Sequence, residues 1–219
     1  MTPADVLAAR GILRAPEVVE LAAAAGLDLA AAAVLLIKES GGGNNLWGFD
    51  PVPTGGSYDK GGVVTRGDYL AYRAARAQRT AGQQGCGPTQ LTLDAFQQRA
   101  DAAGGCWDWR ANCLTGFRIL RDLIAQYGER GGFRRYNGSG PAAERYADDA
   151  MARLGQWRAW LATTTEDAVT LTDEDVARIA DAVWRRATVN GWGDTVEVQQ
   201  ILVAAEKRTA EILDAVRRP

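Results

Sequence analysis

The chain has 219 residues, with 25 Lys plus Arg against 27 Asp plus Glu, and no histidine at all. Without an imidazole that titrates near neutrality, neither a Ser-His-Asp nor a Cys-His nucleophile can be built, and His-ligated zinc peptidases and amidases are excluded too. A formal net charge of −2 gives no general attraction to nucleic acid or an anionic membrane, while 47% hydrophobic residues suffice for a sizeable core.

Helical signals dominate from the first residues. Thr2 caps a segment running to about Arg10, Pro16 opens a second over Glu17 to Ala25, and Gly26 stops it. Asp28 caps a third, Leu29 to Glu39, whose Val34, Leu35 and Ile37 mark it as buried. The opening Met1-Thr2-Pro3-Ala4-Asp5 has no basic region before an apolar run, so no secretory signal is expected. The most apolar stretch, Leu21 to Ile37, is broken by Gly26 and Asp28 and is too weak to span a bilayer. The expectation is a chain made in the cytosol without a membrane anchor.

A long irregular stretch runs from Ser40-Gly41-Gly42-Gly43 to near Arg66, too poor in alternation for a confident strand. Helices resume over Asp68 to about Arg79, over Leu93 to Ala103 with Thr92 as cap, and over Ala111 to Tyr127 with Gly128 as stop. Pro141 opens another that ends near Ala162. Thr163-Thr164-Thr165-Glu166-Asp167 reads as linker. Beyond it, Thr172 caps a helix, Asn190-Gly191-Trp192-Gly193 turns the chain, and Val198 to Val216 forms an apolar stripe near heptad spacing. Charge divides at the same boundary: residues 1–163 carry 18 basic and 16 acidic side chains, residues 164–219 carry 7 and 11.

Three short elements carry the chemistry. Lys38-Glu39-Ser40-Gly41 puts a glutamate where a buried helix meets a glycine loop. The negative end of the helix dipole opposes its anion by roughly 0.3–1 kcal/mol, and partial burial beside Leu35 and Trp47 acts the same way. Both push the carboxyl above its reference of about 4.3, as a general acid requires. The other elements are the loop Gly87-Pro88-Thr89-Gln90-Leu91-Thr92 and the helix–helix turn Arg135-Tyr136-Asn137-Gly138-Ser139-Gly140. Taken singly, each has an ordinary structural reading.

In this order, Glu-Ser, Gly-x-x-Gln and Tyr-Asn-x-x-Gly, the three resemble the lysozyme-like fold of goose-type lysozymes and soluble lytic transglycosylases. The resemblance spans roughly Leu21 to Leu161. From Gln84 onward it looks like the muramidase domain of endolysins from phages of actinobacteria. It implies an all-α, lysozyme-like domain over residues 1–163 with an irregular, small-β insertion; beyond it, the sequence pattern itself reads as a linker over 164–171 and a small helical hairpin over 172–219. It also implies a peptidoglycan glycosidase that cleaves the β-1,4 bond between N-acetylmuramic acid and N-acetylglucosamine, needing no metal and no cofactor. The partner is the glycan strand, with no nucleic acid and no membrane anchor; release from the host cytoplasm to the wall would depend on a holin. Glu39 would be the catalytic acid, Ser40 would orient it or touch the sugar, and Gln90 would hydrogen-bond the acetamido group. Tyr136 and Asn137 would border the cleavage site, with Trp47, Tyr58 or Trp107 offering stacking faces.

Two departures accompany the resemblance. Gln90 follows Glu39 by 51 residues, so residues 44–85 read as an insertion beside the cleft, a lid or an extra sugar-binding wall. Thr92 stands where goose-type enzymes carry an aspartate. An inverting hydrolase needs a base about 6.5–9.5 Å from its acid. Asp50 is the first candidate for it, followed by Asp59 and Asp94. A lytic transglycosylase needs none, because one glutamate acts as acid and then base while a substrate hydroxyl closes an anhydro ring. A non-catalytic glycan-binding or assembly module is the third reading. Cys106 and Cys113 could bridge across a short loop, leaving Cys86 over, although a cytosolic thiol is normally reduced. For the C-terminal unit, self-association through residues 195–216 is preferred over wall binding by Trp184 and Trp192, since a stripe at helical spacing more often packs than binds.

Overall fold

The computed structural model describes residues 1–48 and 61–163. Asp50, Tyr58, Asp59, the linker and the C-terminal unit, with its oligomerisation stripe, lie outside the described residues. What is described is all-α, as expected: seven helices, α1 (Pro3–Ala8), α2 (Ala15–Ala25), α3 (Leu29–Ser40), α4 (Arg66–Ala77), α5 (Asp94–Ala102), α6 (Trp109–Asn137) and α7 (Pro141–Ala162).

Local chemistry accounts for most helix ends. Thr2 and Asp5 form a reciprocal capping box on α1, and Asp28 accepts from the Ala30 N–H at 2.9 Å at the start of α3. Thr65 caps α4, and Asp108 caps α6 by accepting from the Ala111 N–H at 2.8 Å. Thr92 does not cap α5; its hydroxyl turns back to the Gln90 carbonyl, and Leu93 occupies the cap position without a side-chain bond. The helix expected to stop at Gly128 only breaks there (φ 72°, ψ 170°) and resumes through Asn137. Gly131-Gly132 signals a breaker in sequence, yet here the glycine serves close approach. A Cβ on Gly132 would stand 2.6 Å from Ile124 Cγ1, so the chain folds back on itself only with hydrogen there.

Helix α3 is buried from Ala30 through Leu36, which explains its near-continuous apolar sequence. It packs against α2 and α7, while α6 also packs on both of these. Together they form the larger core, which includes Phe117, Leu120, Phe133 and Trp157. Among the described residues no single helix is long and apolar enough to cross a membrane; α2 and α3 are apolar together but meet at 119°.

A second, smaller core joins residues of the 44–85 segment to α5, α6 and the loops before them. Trp47, Tyr69 and Tyr72 are each at most 1% exposed and pack ring on ring, over Cys86, Leu91 and Cys106. Two isolated antiparallel bridges, Leu46 with Val63 and Trp47 with Cys86, are the only β pairing among the described residues. Arg73 and Arg76 of α4 clasp Asp94 at the first turn of α5. The described part of this segment is therefore packed onto the rest of the domain, and Trp47 sits at the centre of the smaller core, 1% exposed, while also lining the groove described below. Trp107 packs on the same cluster, under Arg66 and beside Tyr69.

No bridge joins Cys106 to Cys113. Cys86 and Cys106 face each other with Sγ atoms 3.0 Å apart, whereas Cys113 sits in the larger core; all three are free thiols and fully buried. Burial pushes the Cys86 and Cys113 thiols well above their ordinary range, and for Cys86 the neighbouring Cys106 adds to it. Thiolate is the reactive form. We expect an aromatic disulfide reagent to titrate no thiol in the folded chain within minutes at neutral pH, and all three after denaturation. Rapid native labelling at Cys86 or Cys106 would contradict this packing.

Candidate active site

Helix α3 ends on Glu39-Ser40, and Gly41 reverses the chain in the left-handed region (φ 64°). This stop places Glu39 at the edge of a groove of about 580 Å3. Ser40, Leu46, Gly48, Gln90, Thr92, Tyr136 and Asn137 are among its other lining residues. The groove thus lies where the helical core meets the smaller one, and Tyr136 packs against both. Five residues singled out in the sequence, Glu39, Ser40, Gln90, Tyr136 and Asn137, converge on it from three elements far apart in the chain.

Their hydrogen bonds assign more specific roles than their residue types did. Ser40 Oγ donates to the Pro88 carbonyl at 2.6 Å and accepts from the Gly43 N–H at 3.1 Å, so it clamps the α3 terminus to the glutamine loop instead of orienting Glu39. Gln90, held at φ 49°, donates its amide hydrogens to the carbonyls of Leu46 (2.9 Å) and Gly87 (2.8 Å). With the nitrogen so engaged, its Oε1 is the atom that could accept from an acetamido N–H. Tyr136 donates to the Thr89 carbonyl at 2.7 Å and thereby fixes the same loop from the other side. Asn137, at the C-terminal end of α6, is exposed in the groove.

Two residues escaped the sequence reading. Tyr146, on the second turn of α7, donates its hydroxyl to Glu39 Oε1 at 2.5 Å. Lys38 Nζ lies 4.1 Å from the Tyr146 ring centroid and pairs with Asp149 at 2.5 Å, which braces the phenol from behind. Asn112 of α6 is the other; it is completely buried and ties the glutamine loop to the Cys106 segment by four good bonds. It accepts from the Thr89 N–H (3.0 Å) and hydroxyl (2.8 Å), and donates to the carbonyls of Cys86 (3.0 Å) and Cys106 (3.1 Å). Neither residue carries a motif. In sequence Tyr146 is one aromatic among several in the last helix, and Asn112 is a single polar residue near the start of the helix before it.

Among the described residues, Glu39 is the only acid lining the groove. Asp94, a candidate base, is spent on Arg73 and Arg76, which hold its carboxyl below the usual range. No cluster of three or more metal-ligating side chains occurs among the described residues. The phenols of Tyr136 and Tyr146 are both pushed well above their ordinary range, chiefly by burial and then by the charge of Glu39. Folded, they keep protons that the unfolded chain releases near pH 10. The stability they contribute is complete below about pH 10 and is lost as pH rises beyond it. An alkaline titration followed by phenolate absorbance should accordingly show these two rings ionising only together with unfolding.

Among the described residues the arrangement is a single carboxyl at the side of an open polar groove that amide and hydroxyl groups also line. It suits proton transfer to a bridging oxygen in an elongated, hydroxyl-rich ligand. Comparison with models of protein families, with curated proteins and with solved structures finds no match to this chain.

Proposed function

We propose that this chain is a peptidoglycan glycosidase of the endolysin type, cleaving the β-1,4 bond between N-acetylmuramic acid and N-acetylglucosamine to lyse a bacterial host from within. The observation that carries the reading is the meeting of Glu39, Gln90, Tyr136 and Asn137 in one groove, in which Glu39 is tethered through Oε1 by Tyr146. The tethered carboxyl delivers its proton to the glycosidic oxygen as the bond breaks. Synthesis in the host cytoplasm and access to the wall after membrane permeabilisation belong to the same proposal.

One observation favours a second version of the chemistry. Because Glu39 is the only acid lining the groove among the described residues, the same carboxylate would take back a proton from the sugar 6-hydroxyl and release a 1,6-anhydromuramyl end. In the hydrolytic version Asp50, two residues beyond the groove residue Gly48, activates water instead. Mass spectrometry of digested cell wall separates them: reducing ends indicate hydrolysis, anhydro ends transglycosylation, and no soluble fragments of either kind would overturn the proposal. Asp50→Asn should abolish activity only in the hydrolytic case.

Tyr146 acts as a positioning residue. Tyr146→Phe keeps the ring beneath Lys38 but removes the hydrogen bond to Glu39. We expect kcat to fall about tenfold with KM little changed, since a charge-assisted bond of this kind is worth roughly 1.5–3 kcal/mol. A change in KM alone would place Tyr146 in substrate binding.

A further inference from the structure

A side cavity of about 290 Å3 opens beside the groove and shares Gln90, Thr92, Tyr136 and Asn137 with it. Its character differs. Leu91, Leu93, Phe96 and Leu123 supply an apolar floor; among the described residues Arg135 is its only charged lining residue and no acid lines it. Leu93 is 47% exposed, a large apolar side chain left in water on the rim. The Arg135 guanidinium lies 3.8 Å from the Tyr127 ring centroid, so its face is anchored by the aromatic ring while its N–H edge remains open to a planar anion. Among the described residues no carboxylate pairs with it.

An unbranched glycan lying in the main groove has no use for an apolar pocket with a cationic rim. A glycan carrying an acyl or peptidyl branch does. We propose that this cavity is a branch subsite that takes the carboxylate-bearing peptidyl substituent of the muramic sugar. In it, alkyl groups would lie against Leu93, Phe96 and Leu123, and a carboxylate would meet Arg135. The subsite rests on the glycosidase reading and extends it from a sugar-chain specificity to a branched one. The four shared lining residues put the two cavities side by side, within reach of one ligand, and among the described residues no acid in the lining opposes the charge of the branch.

The test compares two forms of one substrate: wall glycan strands that retain their stem peptides, and the same strands stripped of peptide by an amidase. The wild-type chain should cleave the peptide-bearing form faster, and Arg135→Ala should lower the ratio of the two rates about tenfold, the loss of one charge-assisted contact. Arg135→Lys should recover part of the ratio, since it restores charge but not the planar fork. Calorimetry on the inactive Glu39→Gln chain gives a readout independent of turnover: a disaccharide-dipeptide should bind about tenfold more tightly than the bare disaccharide, and Arg135→Ala should erase the difference. Equal rates on both strands, or a ratio unmoved by Arg135→Ala, overturn the subsite and leave the glycosidase reading standing. Cleavage of neither strand by the wild-type chain overturns both.

Discussion

Glu39→Gln should reduce wall lysis about a thousandfold while leaving the fold unchanged. General acid catalysis by a positioned side chain contributes on the order of 10²–10⁴ in rate, and an amide cannot supply the proton. The substitution is close to isosteric, and its carbonyl oxygen can still accept the Tyr146 hydroxyl that now reaches Glu39 Oε1 at 2.5 Å. The end of α3 is fixed independently, by Ser40 on Pro88 and by Gly41 in the left-handed region. Thermal midpoints of the two proteins should accordingly agree within about 2 °C, corresponding to changes below roughly 0.5 kcal/mol. Retained lytic activity in a well-folded Glu39→Gln chain would remove the glutamate from the chemistry. Retained binding to wall with no lytic activity in either chain would favour the binding-module reading.

How much of this site was legible beforehand follows from which interactions are local. Thr2, Asp28 and Asp108 act within one helical turn, and each caps the helix it begins. The groove residues Glu39, Gln90, Tyr136 and Asn137 could be selected from their order in the chain, because motif order survives without knowledge of contacts. Their roles could not. Gln90 and Tyr136 look like sugar readers by type, but their hydrogens are given to backbone carbonyls of Leu46, Gly87 and Thr89, partners known only once the chain has folded. Trp47 illustrates the same limit: next to a glycine-rich loop it reads as an exposed stacking face, and tertiary packing with Tyr69 and Tyr72 buries it. The stop expected at Gly128 failed for the opposite reason. Local propensity says the helix ends there, yet it only breaks (φ 72°, ψ 170°) and resumes through Asn137, where Gly132 meets the tight contact with Ile124.

Asn112→Ala should be among the most damaging changes in the described domain, although Asn112 touches no ligand. Its amide meets its full hydrogen-bonding capacity at a completely buried position. Alanine would leave the Thr89 N–H and the carbonyls of Cys86 and Cys106 buried without this partner, at about 1–3 kcal/mol each, for a total we place near 4 kcal/mol after relaxation. In a domain of this size that lowers the thermal midpoint by about 10 °C. The loss should reach the groove as well. Thr89 is the residue on which Tyr136 closes, and the loop between Cys86 and Gln90 carries both the Pro88 carbonyl that Ser40 holds and the Gln90 side chain. Gly87 supplies an internal check, because a Cβ there would stand 2.3 Å from Asn112 Nδ2 at φ +78°. Gly87→Ala should be severely destabilising in the wild-type chain but measurably less so in Asn112→Ala, where only the backbone strain remains, so the two changes should be strongly non-additive. Denaturant unfolding of the four chains measures this directly. A single-mutant loss below about 1 kcal/mol, or full additivity, would mean that the loop is held in some other way and that Asn112 is not the residue coupling the smaller core to the groove.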